Sequence, residues 1–322
     1  MKKNIYIFTI TFAALVFAAC ASTQEIIIEP TIVEPPPEIS EPKQIIVQES
    51  PEDIFIKSLE GITIKSLSSP KEVYKGRSFA APFVFEAKNA EGAPVENLSL
   101  TLTYPASKSA DEGICFEKTE LTTDSEGKIT FTPEATSFAT KTKVTVYPTP
   151  INESEELLER LKPFIAEADW KVKSDLPSKG AVLFVWDFNE KDRPINNFSN
   201  LQAEFRTRGI TMVGNGPVNE TSYLGKQQSL YKDTFKIIGG KAYGYLIYGT
   251  IKFDQPVTAK EDGSGYFCVM KADIEAYDMK NGNKVYSFTT SYESNGKNWN
   301  ECVSKGKDNI AEYIVTDIIY GL

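Results

Sequence analysis

The sequence predicts a multidomain chain: an all-β sandwich followed by a small α/β (α+β) domain with a mixed sheet, after a disordered amino-terminal tether. Three observations carry this. Between residues 59 and 148 apolar residues alternate with period two in several short runs, the pattern of half-buried strands. Beyond residue 171 strand-like runs alternate with segments of helical period, as in sheets covered by helices. Residues 21 to 56 hold Pro30, Pro35, Pro36, Pro37, Pro42 and Pro51, with eight acids and one Lys. Proline fixes φ and removes donors, and like charges repel, so that segment stays extended.

In chain order, Lys2 and Lys3 precede an uncharged, mostly apolar run from Ile5 to Ala19. A membrane-crossing helix needs about 20 residues, so residues 1–19 suit a secretory signal peptide. Small residues close it at Ala18 and Ala19, directly before Cys20. Residues 20–58 are read as the tether. Within it Ile26-Ile27-Ile28 and Ile45-Ile46-Val47 are β-prone patches. Loss of the signal removes Lys2 and Lys3 and takes the net charge from −9 to −11. A chain this acidic gains nothing from anionic headgroups and lacks the basic footprint of a nucleic-acid binder.

Residues 59–149 are read as the sandwich. Phe79, Ala81, Phe83, Phe85 and Ala87 share one face, and Leu98, Leu100, Leu102 and Tyr104 share another. Ile129 with Phe131, then Val144 with Val146, follow. Asn89-Ala90-Glu91-Gly92 and Asp124-Ser125-Glu126-Gly127 are turn signals. Residues 150–170 are read as a helical linker: Leu157, Leu161, Phe164, Ile165 and Ala168 fall on one helical face. Asn152 or Ser154 can cap it, and Pro163 should kink or split it.

Residues 171–322 form the second domain. Ala181 to Phe188 is an apolar run broken only by Asp187, the mark of a strand buried on both faces. Phe198, Leu201 and Phe205 make a helix face that Gly209 can end. Ile210 to Val213 is a second strand. Leu230, Thr234, Phe235 and Ile238 make a second helix, stopped by Gly239-Gly240. Tyr245 to Phe253 and Phe267 to Tyr277 are strands, and Met279-Lys280-Asn281-Gly282 turns the latter into Lys284 to Tyr292. Ile310, Ile314 and Ile318 mark a final helix. The order is β-α-β-α-β-β-β-α.

Three resemblances follow from these residues. Phe17-Ala18-Ala19-Cys20 resembles a bacterial lipobox, with Phe17 where the family prefers an aliphatic residue. This implies lipidation of Cys20 and a membrane anchor. The segments 87–95 and 123–132 are similar to the paired turns of invasin-type immunoglobulin-like domains, which implies a spacer, an interaction module or an adhesin stalk. The runs 182–188, 245–251 and 273–282 resemble the small α/β domain shared by the curli-secretion lipoprotein CsgG, the amino-terminal domain of TolB and the penicillin-binding-protein activator lipoproteins. CsgG builds its pore from long inserted hairpins, and the intervals here are too short for two of them.

The 322 residues include no histidine. A Ser-His-Asp triad, a Cys-His dyad, and zinc or haem sites with His ligands are thereby excluded. No cofactor or metal is expected, and no small-molecule substrate is indicated. Asp187 and Glu190-Lys191-Asp192 follow the first buried strand, where α/β sheets place ligands, and could be read as a carboxylate hydrolase site. A solvated loop of charges is the plainer reading. Gly214-Asn215-Gly216-Pro217 lacks the phosphate-loop pattern. Tyr243, Tyr245, Tyr248 and Tyr266 could form an aromatic surface or pack within strands. Cys268 and Cys302 are a candidate disulfide closing a loop of about 35 residues, worth about 3–4 kcal/mol, or else two buried thiols. Cys115 is expected to pack in the sandwich. These features point to a non-catalytic envelope lipoprotein that binds a protein partner. It would be lipid-anchored at the outer membrane, because Ala21 and Ser22 carry no Asp retention signal, with its body on the periplasmic face. A surface adhesin is the alternative.

Overall fold

The computed structural model describes residues 49–109, 113–217 and 221–322. The expected signal peptide, Cys20 and the expected tether up to residue 48 lie outside the described residues. The expected tether to residue 58 ends early, because Pro51–Ser58 form helix α1. Ser50 caps it: its Oγ accepts from the amide of Asp53 at 3.1 Å, and the Asp53 carboxylate accepts in return from Ser50 Oγ at 2.8 Å. Pro51 at the first turn loses nothing there. Phe55 and Ile56 pack against buried Leu59, Leu157 and Leu161.

The first lobe continues with β1 (Thr63–Ser68), β2 (Val73–Tyr74), β3 (Phe83–Lys88), β4 (Ser99–Ser109), β5 (Gly113–Thr122), β6 (Lys128–Phe131) and β7 (Thr140–Pro148). Helix α2 spans Glu155–Leu161, capped by Ser154. The helix expected over 150–170 stops there. Pro163 lies in a 3-10 turn (Lys162–Phe164), and the chain then enters β8 (Ala166–Lys173). The period changes from 3.6 to 2 at this point: Ala166, Ala168, Trp170 and Val172 are buried and their neighbours are not. The expected helical linker over 150–170 therefore gives way to a strand that pairs antiparallel with β7. Two sheets result, β1-β3-β6 and β2-β8-β7-β4-β5. They share one core, in which Phe83, Phe85 and Ile129 of the first meet Leu100, Leu102, Val144, Val146 and Trp170 of the second. Trp170 stacks on Phe83 at 5.5 Å and meets Phe79 edge-on at 4.9 Å.

Both expected turns form, with the same geometry. Asn89 Oδ1 accepts from the amides of Glu91 and Ala93, and Asp124 Oδ1 from those of Glu126 and Lys128. The fourth residue, Gly92 or Gly127, takes a left-handed φ.

The second lobe comprises α3 (Leu176–Lys179), β9 (Ala181–Phe188), β10 (Pro194–Asn197), α4 (Ser199–Thr207), β11 (Val213–Asn215), α5 (Gln227–Ala242), β12 (Tyr245–Ala259), β13 (Tyr266–Asp278), β14 (Lys284–Gly296) and α6 (Trp299–Gly321). Apart from α3 and the short β10, this is the expected order. The mixed sheet runs β10-β9-β12-β13-β14, with β11 also on β9. Strands β9 and β12 are parallel, and β12, β13 and β14 are antiparallel neighbours. All eight residues of β9 are buried. Leu201, Phe205, Ile310, Ile314 and Ile318 of α4 and α6 cover the sheet face bearing Leu183 and Val185. Leu230 of α5 covers the face of Phe184, Trp186 and Tyr248. Helix α5 is broken at Gly239, whose φ is +70°. Among the described residues, no helix is long and apolar enough to cross a membrane.

Residues 49–322 pack as one unit. The last turn of α6 makes much of the joint between the lobes. Ser174 N donates to Ile319 O at 2.7 Å, Lys75 Nζ to Leu322 O at 2.8 Å, and Tyr320 OH to Glu72 at 3.0 Å.

Candidate functional site

The carboxyl end of β9 carries the charged residues singled out in the sequence. Asn189-Glu190-Lys191-Asp192 is a third turn of the Asn89 and Asp124 kind. Asn189 Oδ1 accepts from the amides of Lys191 and Arg193 at 3.0 and 3.1 Å. Here the left-handed fourth position is Asp192, at φ +52°, which aspartate tolerates better than most residues.

The turn does not bring its carboxylates together as an acid/base pair. Asp192 pairs with Lys252 of β12 at 2.8 Å, and that ammonium lies 4.4 Å from the centre of the Phe188 ring. Glu190 Oε1 accepts from the amide of Val257 at 2.9 Å and from Trp299 Nε1 at 3.3 Å. Asp187 points the other way along the strand, under α6, where its Oδ2 takes the ammonium of Lys307. Burial pushes the Asp187 carboxyl above the ordinary range, and Lys307 offsets part of that. Its Oδ1 is buried with no hydrogen-bond partner. Burial and an adjacent lysine are features that proton-transfer groups also show, while the carboxylates of Glu190 and Asp192 lie on other partners.

Above this ion pair opens a cavity of about 240 Å³, lined by Phe188, Ile195, Phe253, Trp299, Val303 and Lys307 among others. Asn189, Glu190 and Lys191 of the turn also line it, and its apolar residues are accessible: Ile195 is 57% exposed and Trp299 44%. A larger cleft of about 830 Å³ lies between the lobes, with Lys108 and Lys141 on one side and Phe288, Tyr292, Tyr313 and Tyr320 on the other. Lys141 stands 5.6 Å from the Tyr320 ring centre. Burial pushes the Lys108 ammonium down and the Asp317 carboxyl up, and the latter accepts from Tyr286 OH. Among the described residues, no group of three or more His, Cys, Asp or Glu side chains could hold a metal ion.

Sequence reasoning missed Lys307, Trp299 and Lys252. A signal for Lys307 was present: it stands four residues after Val303 and three before Ile310, on the apolar stripe of α6, where a charge requires a partner. The tyrosines resolve as packing, since Tyr245 and Tyr248 are buried and Tyr243 and Tyr266 half-buried. Cys115 is half-buried on edge strand β5. Cys268 on β13 and Cys302 on α6 are brought together, fully buried, with sulfurs 3.4 Å apart and both thiols free.

Residues 180–319 match the family model described as TP0693-like lipoprotein, C-terminal domain. Among solved structures, the chain is similar to lipoprotein GNA1162 from Neisseria meningitidis, at 15% identity over 43% of this chain and 97% of that one, TM-score 0.28. It is also similar to the PelC dodecamer from Paraburkholderia phytofirmans, at 16% identity over 44% and 87%, TM-score 0.27. A third similarity is to the hypothetical protein CT253 from Chlamydia trachomatis, at 9% identity over 44% and 95%, TM-score 0.29. No curated protein matches the chain.

Proposed function

We propose that this protein is a non-catalytic lipoprotein of a bacterial cell envelope, held to the membrane by lipid on Cys20 and acting there as a protein-binding or assembly module. One observation carries the reading. At the strand ends where an α/β sheet places a ligand, the carboxylates of Asp187, Glu190 and Asp192 each meet a partner from another element, while a mostly apolar pocket with a tryptophan rim stays open. Tryptophan beside a small pocket is what protein interfaces use as an anchor. The apolar run before Cys20 and the lipoprotein family match of residues 180–319 support the anchor. With a net charge of −11 after loss of the signal, lipid rather than headgroup attraction holds the chain at the membrane. The outer membrane and its periplasmic face are our assignment, as are the immunoglobulin-like character of the first lobe and the CsgG/TolB-like character of the second.

The test is photo-cross-linking in intact cells, with a benzophenone amino acid in place of Trp299. The expected result is an adduct of a single protein species that Ile195→Glu abolishes, together with loss of fatty-acid labelling in Cys20→Ser. No adduct, or a smear of adducts indifferent to Ile195→Glu, overturns the binding role.

A further inference from the structure

The geometry points to a disulfide between Cys268 and Cys302 in the exported protein, made before α6 settles on the sheet. This rests on the reading of the chain as exported, because the envelope supplies the oxidant that the cytosol withholds.

The first turn of α6 is held tightly over the end of β14. Asn298 caps it, accepting from Glu301 N at 3.0 Å, and Glu301 Oε2 accepts from Lys297 N at 2.9 Å. Gly296 and Gly306 let the helix approach: a Cβ on Gly296 would lie 2.7 Å from Cys302 Cα, and one on Gly306 would lie 3.1 Å from Ser294 Cβ. Ser294 is the cross-strand partner of Cys268 and also donates its hydroxyl to Cys302 O at 2.7 Å. Cys302 is thereby set directly over Cys268, with its thiol also 3.4 Å from Ser294 O. Closing from 3.4 Å to a bond of about 2.05 Å asks for a shift of about 1.4 Å, within reach of side-chain rotation and small backbone movement.

The reaction is thiol–disulfide exchange with a disulfide oxidant of the envelope. The thiolate of one cysteine attacks a sulfur of the oxidant and releases its first thiol. The second cysteine, as thiolate, then attacks the protein sulfur of the mixed disulfide and releases the other. Two protein thiols become one S–S bond, and the oxidant's disulfide becomes two thiols that carry away the two protons.

In the folded chain this route is closed. Both cysteines are fully buried. Burial first, then contact with Cys302, push the Cys268 thiol up to about 12, which leaves very little of it as thiolate at neutral pH. Oxidation therefore belongs to the stage when the hairpin exists and α6 is still undocked. A chain that folds reduced stays reduced. The same cysteines so record in which compartment the protein folded.

The experiment compares two preparations of the full chain. Protein from the envelope fraction is acid-quenched, denatured without reductant and alkylated, and the peptides carrying 268 and 302 are examined by mass. The expected result is one linked species, 2 Da lighter than the dithiol and separated by reductant, with Cys115 alkylated. Protein lacking residues 1–19 is made in a reducing cytosol, where both thiols should be free. Incubated folded with glutathione disulfide it should remain unlinked, and denatured and refolded in the same oxidant it should link. The linked form should melt about 5 °C or more above the reduced one. Envelope protein alkylated at both cysteines overturns the bridge and leaves the export reading standing, whereas recovery of the chain in the cytosol overturns that reading first. Equal oxidation of folded and unfolded protein overturns the order of events.

Discussion

Replacing Lys307 by Met should be among the most costly changes on the surface of α6, and its cost should depend on pH. Met keeps the aliphatic stem and removes the ammonium. The Asp187 side chain is 9% exposed and that of Lys307 21%, so the variant leaves a buried carboxylate whose second oxygen already lacks a partner. Stranding one member of a buried pair costs about 3–5 kcal/mol, and the partial exposure of Lys307 places the expected value near 3. Burial already holds the Asp187 pKa above that of the unfolded chain. For a carboxyl raised in the folded state, stability is present below the unfolded pKa and is lost as pH rises through the folded one. Removing Lys307 raises the folded pKa further. The penalty of the variant should therefore be small near pH 4 and should grow by up to about 1.4 kcal/mol per unit through the interval between the two folded pKa values. Asp187→Asn with Lys307→Met removes both charges and should recover more than half of the loss, since a neutral pair escapes the desolvation that the lone carboxylate suffers. The assay is urea unfolding of the four proteins of this cycle at pH 4.5, 6 and 8, followed by circular dichroism and tryptophan fluorescence together. A cost below about 1 kcal/mol at pH 8, or a double variant no more stable than Lys307→Met, would refute the reasoning.

Three further outcomes follow from other parts of the fold. Trp170→Ala should cost about 3–5 kcal/mol through loss of the contacts with Phe83 and Phe79, and amide exchange should quicken first in β3, β7 and β8. Exchange confined to 150–170 would instead mean that this segment is a linker. Gly249→Ala puts a Cβ 2.6 Å from Asp273 O and 2.5 Å from Ile274 Cδ1 in the middle of the sheet, and should cost about 1–3 kcal/mol in urea unfolding. A neutral result would mean that β12 and β13 separate freely. At Asp175, burial pushes the carboxyl up, but Lys179, Tyr245 and Lys75 outweigh it and hold it below the ordinary range. Stability from this group is present above about pH 4 and is lost as pH falls through the folded pKa. Asp175→Asn should cost about 2 kcal/mol at pH 7 and flatten the acid limb of the stability curve. An unchanged acid limb would show that the lobes are not joined through this carboxylate.

Period and turn chemistry made most of the second lobe legible. The run of β9, apolar but for Asp187, the Asn281-Gly282 turn and the isoleucines of α6 each state their structure locally, and all three appear in the fold. Strand β8 was hidden because Leu157, Leu161, Phe164 and Ile165 extend a helical pattern up to its first residue. Only the alternation Ala166, Ala168, Trp170, Val172 contradicts it, and the decisive partners on β7 lie 20 to 32 residues earlier. Helix α1 was hidden by composition: Pro51, Glu52 and Asp53 read as more of an acidic, proline-rich tether, although with Ser50 they also spell a capping box. At the site, the sequence placed Asp187, Glu190 and Asp192 in one loop and could not say that they part. Strand alternation turns Asp187 beneath α6, while the turn held by Asn189 sends the other two outward to β12 and Trp299. The partners that silence the carboxylates come from 60 or more residues away, beyond any local pattern.

Helix α6 ties these features into one mechanical element. Its first turn lies over Cys268 and rims the apolar pocket with Trp299. Its third turn sends Lys307 to Asp187, and its last turn binds Glu72, Lys75 and Ser174 of the first lobe and the segment that leaves it. A helix of 23 residues is about 35 Å long, so the pocket and the joint between lobes sit at opposite ends of one rigid rod. Neither end can shift along the helix axis without disturbing the other. Under the proposed binding role, a partner that levers Trp299 outward strains the joint at Tyr320 if the helix moves as one body, and a change at the joint then alters the pocket. Tyr320→Phe removes the bond to Glu72 while leaving the pocket residues untouched. If the rod transmits, this variant changes partner cross-linking at position 299. If cross-linking is unaltered while the melting temperature falls, the pocket and the joint are independent, and α6 is a cover for the sheet and nothing more.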